Sequence, residues 1–320
     1  MIKKLVKSSQ FTLCIAFIII LTAFSFGSKF FLTVSNLLNI GMYAAVVGVA
    51  SMSITFVLAC GLIDLSAGAI MGLSGMMGAL VVARTNSMPL AVLATLTTGM
   101  LTGAINGLLV TRFKIVPFIA TVGTAKLFRG LVYVASSGKS INIQNEPIKW
   151  FGRGYIGFVP VAFIIFLLSI IIFTFIAKQT VFGRKIFIIG GNSRASYLAG
   201  IKVQKIQFFV FMLNGLMCGL SGLLIISQLG ACLLESGDGY EFNAISGAIL
   251  GGVSMSGGKG SMVGTAIGVL VLSTLRNGLT MMNIASYWQN VVIGLVLIVA
   301  VALDIARTEA EKRALLKGKG

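Results

Sequence analysis

The sequence predicts an all-α integral membrane protein with about ten transmembrane helices. Three observations carry this. Of 320 residues, 57% are hydrophobic and only 10% charged, whereas soluble domains run at roughly 25% charged. The apolar residues fall into successive runs of about 20, the length needed to cross a hydrocarbon core of roughly 30 Å. Glycine contributes 39 residues, and in lipid small residues let helix backbones approach closely.

The runs lie at 10–27, 36–60, 66–83, 89–111, 117–137, 158–177, 206–230, 242–258, 261–281 and 287–304. The first follows a basic start (Lys3, Lys4, Lys7) with no clear small-residue cleavage site, and reads as a retained span rather than a signal peptide. The stretches near 61–75 and 242–260 are short and glycine-rich, which predicts short, broken or re-entrant helices buried in protein. One transmembrane domain covers 1–320, with a polar cytoplasmic loop at 178–205.

Ten spans put both termini on one side, and the charge distribution agrees. With the N-terminus in the cytoplasm, seventeen of the 25 Lys and Arg fall in cytoplasmic segments. Five (Lys29, Arg84, Lys139, Lys149, Arg153) fall outside, and three (Lys126, Arg129, Arg276) lie within spans. This is the positive-inside bias, and dropping one weak span would put the basic 178–205 loop and the basic C-terminus on opposite sides. The formal charge of +17 does not indicate nucleic acid, because the cations are distributed between apolar runs instead of on one soluble face.

Several chemistries are poor fits. The chain has no His, the commonest general base and metal ligand. Cys14, Cys60, Cys218 and Cys232 lack metal or redox spacing. Neither the glycines from Gly251 to Gly260 nor Ser136-Ser-Gly-Lys-Ser has phosphate-loop spacing, so ATP hydrolysis belongs to another chain. The Gly251–Gly260 run reads as a helix break with close backbone packing.

In the 178–205 loop, Asn192 or Ser193 is suited to cap a two-turn helix over Arg194 to Ala199, and Gly200 to end it. So short a helix needs something to dock against. It is either a connector facing anionic lipid or a coupling helix seated on a cytoplasmic motor subunit, and the spacing alone leaves both open.

Asp64 lies between two apolar stretches, where an unpaired carboxylate is costly. It suits an N-cap of the helix that follows, next a gate or pathway residue at the cytoplasmic end, and third a proton-relay carboxylate. Lys126 and Arg129 share a helix face that should look inward, lining a path or pairing with buried carbonyls. Arg276 has Glu241 or Asp238 as candidate partners. Glu235, Asp238 and Glu241 form an acidic cluster expected outside, either solvated or docking a binding protein.

The motifs Phe182-Gly-Arg, Ile189-Gly-Gly-Asn and Leu198-Ala-Gly-Ile resemble the membrane permeases of ribose-type sugar ATP-binding cassette (ABC) importers. So do Gly61-Leu-Ile-Asp-Leu-Ser-Ala-Gly, the long Gly239-to-Thr265 stretch, Asn277-Gly-Leu and Tyr287-Trp-Gln. Leu62, Asn243 and Arg276 depart from the pattern. The resemblance implies a non-enzymatic transport subunit in the bacterial inner membrane, with a second permease subunit (the same or different) and an extracytoplasmic sugar-binding protein. A cytoplasmic ATPase would bind the ATP, leaving no cofactor in this chain. It also implies coupling residues at Gly191, Asn192, Ser193, Arg194, Ala195 and Gly200. Asp64, Ser66, Lys126, Arg129, Arg276 and Asn277 are candidates for the gate or path. Branched-chain amino acid permeases of the same superfamily are the nearer rival, and an ion-coupled secondary transporter the more distant one.

Overall fold

The computed structural model describes residues 9–317, and among them thirteen helices account for nearly all regular structure. The long helices are α1 (Ser9–Gly27), α2 (Val34–Ala59), α3 (Ala67–Thr85), α4 (Met88–Thr111), α5 (Pro117–Ser136), α7 (Val161–Gln179), α10 (Val203–Leu229), α12 (Met262–Met281) and α13 (Ser286–Lys317). The short ones are α6 (Glu146–Arg153), α8 (Val181–Gly191), α9 (Ser193–Leu198) and α11 (Tyr240–Leu250). A helix thus stands at each of the ten predicted runs. Seven (α2, α3, α4, α5, α7, α10 and α12) are long and apolar enough to cross a membrane. The apolar parts Phe17–Gly27 and Ser286–Val299 are shorter, and α11 has only 11 residues.

Local chemistry sets the boundaries. Prolines at positions 89, 117 and 147 sit in the first turns of α4, α5 and α6, where the missing N–H is not needed. Asn86, Ser137 and Gly230 take left-handed conformations that end α3, α5 and α10.

Helix α2 runs through the centre, almost wholly buried, against α7, α10, α11 and α12. Helices α4 and α10 pack most intimately, and α3 fills the space between them and α5. Glycines at 99 and 103 on α4 meet Gly215 and Gly219 on α10, where any Cβ would run into the facing backbone. Such spacing supplies van der Waals packing without relying on a hydrophobic drive, which lipid does not provide.

At one end of the bundle, β1 (Ile141–Asn142) pairs antiparallel with β4 (Ala231–Cys232), and β2 (Tyr155–Ile156) with β3 (Val159–Pro160). Helix α6 lies there too, with Arg153 Nε donating to Gln228 O at 2.7 Å. The opposite end carries α8, α9 and the glycine loop 251–261.

Two expectations change. The 66–83 segment is not a half-helix: α3 is a complete 19-residue helix, and the irregular backbone precedes it, at 60–66. In the 178–205 loop α8 was unforeseen, because the helix signals read from sequence begin only at Asn192.

Candidate functional site

The break between α2 and α3 holds a buried polar network. Asp64 is 1% exposed. Its Oδ1 accepts from the Ser66 N–H (2.8 Å) and the Ser66 hydroxyl (2.6 Å), and its Oδ2 accepts from Asn214 Nδ2 (2.8 Å). Asn106 Nδ2 donates to Ser66 Oγ (2.7 Å), Thr124 donates to Asn106 Oδ1 (2.7 Å), and Ser53 donates to Asn214 Oδ1 (2.8 Å). Elements α2, α4, α5 and α10 are thereby tied to one carboxylate. Three donors offset part of the cost of burying it, and the nearby N-terminus of α3 favours negative charge.

Asp64 is not the N-cap of α3. Ser66 occupies the cap position of α3 without a side-chain cap bond, and Asp64 stops two residues short of it. Its partner Asn214 is the twelfth of 27 residues in α10, close to the middle of that helix.

A second irregular segment comes back to the same level. After β4, residues 233–239 turn inward along the first turns of α3. The Gly237 carbonyl sits on Gly68, and the Ser236 carbonyl is 2.5 Å from where a Gly72 Cβ would stand. A side chain at Gly68 would also overlap Glu241 Oε2, so glycine there is what admits the loop. Helix α11 therefore begins inside the bundle and ends at Gly251, followed by left-handed Gly252.

Arg129 clamps this loop. Its Nη1 donates to Ser236 O (2.9 Å) and Leu234 O (3.4 Å), and its Nη2 pairs with Asp238 Oδ1 (3.4 Å). Beside the clamp lies a cavity of about 520 Å³ lined by Lys126, Arg129, Glu235, Asp238, Glu241, Tyr133 and Phe242. The three acids expected as an outer cluster thus line the same cavity as the two α5 cations.

At the far end, α8 and α9 form a hairpin. Asn192 Oδ1 accepts from the Ala195 N–H (2.9 Å), capping α9, and Gly200, at φ +80°, closes it. Buried Ser196 bonds back to Ile188 O (3.2 Å) and Asn192 O (2.7 Å), holding α9 on α8. Gly191, Asn192, Ser193, Arg194 and Ala195 are exposed, as are Tyr197 and Leu198. Gly190 faces the other way. The Gly258 N–H donates to Ala59 O (2.9 Å), and Gly190 lies against both groups. One backbone junction thus joins the hairpin to the end of α2 and to the glycine loop. The expected close packing of the Gly251–Gly260 run is realised here.

Residues 36–301 match the family described as "Branched-chain amino acid transport system / permease component". The chain belongs to this family. The permease is 39% identical to the ribose import permease protein RbsC of Bacillus subtilis (strain 168) over 276 residues, 86% of each chain. It is 36% identical over 294 residues, 91% of each chain, to RbsC of Haemophilus influenzae. A further relative is the D-allose transport system permease protein AlsC of Escherichia coli (strain K12), 36% identical over 90% of each chain. No solved structure matches it.

Two candidate path residues of the permease lie elsewhere. Arg276 Nη1 donates to the Tyr43 hydroxyl (2.6 Å) and the guanidinium stacks 5.2 Å from its ring centroid. Neither Glu241 nor Asp238 pairs with it; Asp238 is taken by Arg129. Asn277 and Asn36 exchange two amide bonds of 2.9 Å, tying α12 to α2. Conversely, Asn106, Asn214, Ser53 and Thr124 entered the network unanticipated. The available signal was an amide within an apolar run, since such groups in lipid seek partners on other helices.

Proposed function

We propose that this permease forms the translocation path for a ribose-like monosaccharide, as the membrane-spanning subunit of an ABC importer in the bacterial inner membrane. The observation that carries this is the set of relatives named as ribose import permeases, at 35–39% identity over most of the chain. The cavity chemistry supports the same reading. Mixed charges with two aromatic faces suit a neutral ring bearing hydroxyls, in a site that is mostly apolar with a few placed polar groups.

Lys126 and Asp238 are exposed on the isolated chain, yet sit at a level where facing lipid would cost roughly 2.5–3.5 kcal/mol each. A second permease subunit covering that face, with a water-filled path between the two, removes the cost. The α8–α9 hairpin then seats a cytoplasmic ATPase, which binds the ATP, and an extracytoplasmic binding protein delivers sugar at the opposite end. Both termini are cytoplasmic in this arrangement.

The test is uptake by proteoliposomes carrying the permease with a sugar-importer ATPase and a ribose-binding protein. ATP-dependent accumulation of labelled ribose, and not of leucine, is expected; leucine uptake without sugar uptake refutes the reading.

A further inference from the structure

Of the five ionisable side chains of the cavity, Glu241 turns a buried Oε2 toward Gly68, without a hydrogen-bond partner among the described residues, and the other four divide into two groups. Arg129 and Asp238 are committed to each other, and Arg129 also to the carbonyls of Leu234 and Ser236. Lys126 and Glu235 line the same cavity but make no hydrogen bond or ion pair among the described residues. Lys126 stands one helical turn from Arg129 on α5, so both face the cavity. An ammonium group at this depth with no protein partner requires a polar one in the working protein.

Two cations facing three carboxyl groups, with Arg129 already committed to Asp238, leave no surplus of positive charge, which disfavours a phosphorylated or carboxylated solute. A neutral polyhydroxylated ring satisfies both free groups: its hydroxyl oxygens accept from an ammonium and its O–H groups donate to a carboxylate. The rings of Tyr133 and Phe242, each nearly half exposed, offer surfaces for its C–H faces. Two single contacts also suit a path, where a solute must be recognised and then released.

We propose that Lys126 and Glu235 are the substrate-contacting pair that reads sugar hydroxyls during passage, while Arg129 is a positioning residue that holds loop 233–239 as the cavity wall. This rests on the sugar-importer reading above.

The experiment compares wild type, Lys126→Met, Lys126→Arg and Glu235→Gln in proteoliposomes with ATPase and binding protein. Uptake of ribose and each of its monodeoxy analogues is measured as sugar accumulated per ATP hydrolysed, alongside thermal stability. A site that hydrogen-bonds a hydroxyl discriminates against the analogue lacking it, and a cycle between side chain and hydroxyl isolates that contact. Expected for Lys126→Met is a roughly tenfold loss of ribose transported per ATP, equivalent to 1.4 kcal/mol. Discrimination against one analogue should disappear, stability should be unchanged, and Lys126→Arg should restore part of the loss. Glu235→Gln should act on a second hydroxyl.

Wild-type transport and discrimination in Lys126→Met and Glu235→Gln overturn the proposal. So does an equal loss for every analogue with lowered stability, which would assign Lys126 to the subunit contact or to lipid. Absence of sugar uptake by wild type itself would instead bring down the parent reading, and this one with it.

Discussion

Replacing Gly190 with alanine tests whether the α8–α9 hairpin is mechanically joined to the broken segments. The new Cβ would overlap Ala59 O and stand 2.5 Å from Gly258 N and 2.9 Å from the Ala59 carbonyl carbon. All three obstacles are backbone atoms, so no side-chain rotation relieves them. Overpacking of this kind costs roughly 1–3 kcal/mol. Separating Ala59 from Gly258 also removes their 2.9 Å hydrogen bond, worth about 1 kcal/mol. The expected total is therefore about 2–4 kcal/mol, taken at the point where hairpin, α2 and glycine loop meet. Gly191→Ala is the internal control: nothing lies within 4 Å of where its Cβ would stand. The assay is thermal unfolding in detergent, followed by sugar uptake per ATP hydrolysed in proteoliposomes. Gly190→Ala should unfold at lower temperature and hydrolyse ATP with little uptake, while Gly191→Ala keeps wild-type stability. Equal stability and equal coupling of the two variants would refute the mechanical junction.

On the exposed side of the hairpin, Ala195→Glu should weaken co-purification of the ATPase while leaving membrane insertion intact, with each 1.4 kcal/mol lost reducing affinity tenfold. Pull-down against a Lys139→Glu control checks this. Asp64→Ala leaves the Ser66 N–H and the Asn214 amide buried without an acceptor, at roughly 1–3 kcal/mol per group. Asp64→Asn, which keeps one acceptor oxygen, should lose less, and size-exclusion of heated samples ranks the two; equal survival of Asp64→Ala and wild type would refute the network's weight. For sidedness, single cysteines at 194 and 139, with Cys14 replaced, should react with impermeant maleimide only from the cytoplasm and only from outside, respectively. Cys60, Cys218 and Cys232 are buried, and the reverse labelling pattern would overturn the assigned orientation.

The ten helical segments were legible because the requirement for an apolar run is local and length-bound. The α9 cap at Asn192 and the stop at Gly200 were legible for the same reason: each depends on residues within a turn. Contacts made across the chain were not. Asp64 and Asn214 are 150 positions apart, so neither the burial of the carboxylate nor its partner follows from its neighbours. The acidic cluster was expected outside because it follows a span. Its inward turn depends on Gly68 and Gly72, on another helix, leaving room for the carbonyls of residues 236 and 237. Arg276 looked like a partner for acids because its contact, the phenol of Tyr43, carries no charge to search for. Helix α8 escaped notice because it is only 11 residues long, with buried Ile186 and Ile189 on one side and a glycine pair at its end.

The glycine seam between α4 and α10 bears on how such a protein changes shape. Backbone there lies against backbone: a Cβ on Gly103 would stand 2.8 Å from the Gly215 Cα, and one on Gly99 the same distance from the Gly219 Cα. Two helices in that state cannot slide past one another by a residue, since that would bring the side chains that flank each glycine, such as Met100 and Ala104 on α4, against the facing backbone. They behave as a single stiff rail. Asn106 hangs from one half of the rail and Asn214 from the other, and both hold the Asp64 break. Displacement between the two ends of the molecule is then left to segments outside regular helix, among them 60–66, 233–239 and 251–261. In engineering terms, the seam is the stator, and the glycine-rich breaks are the bearings around it.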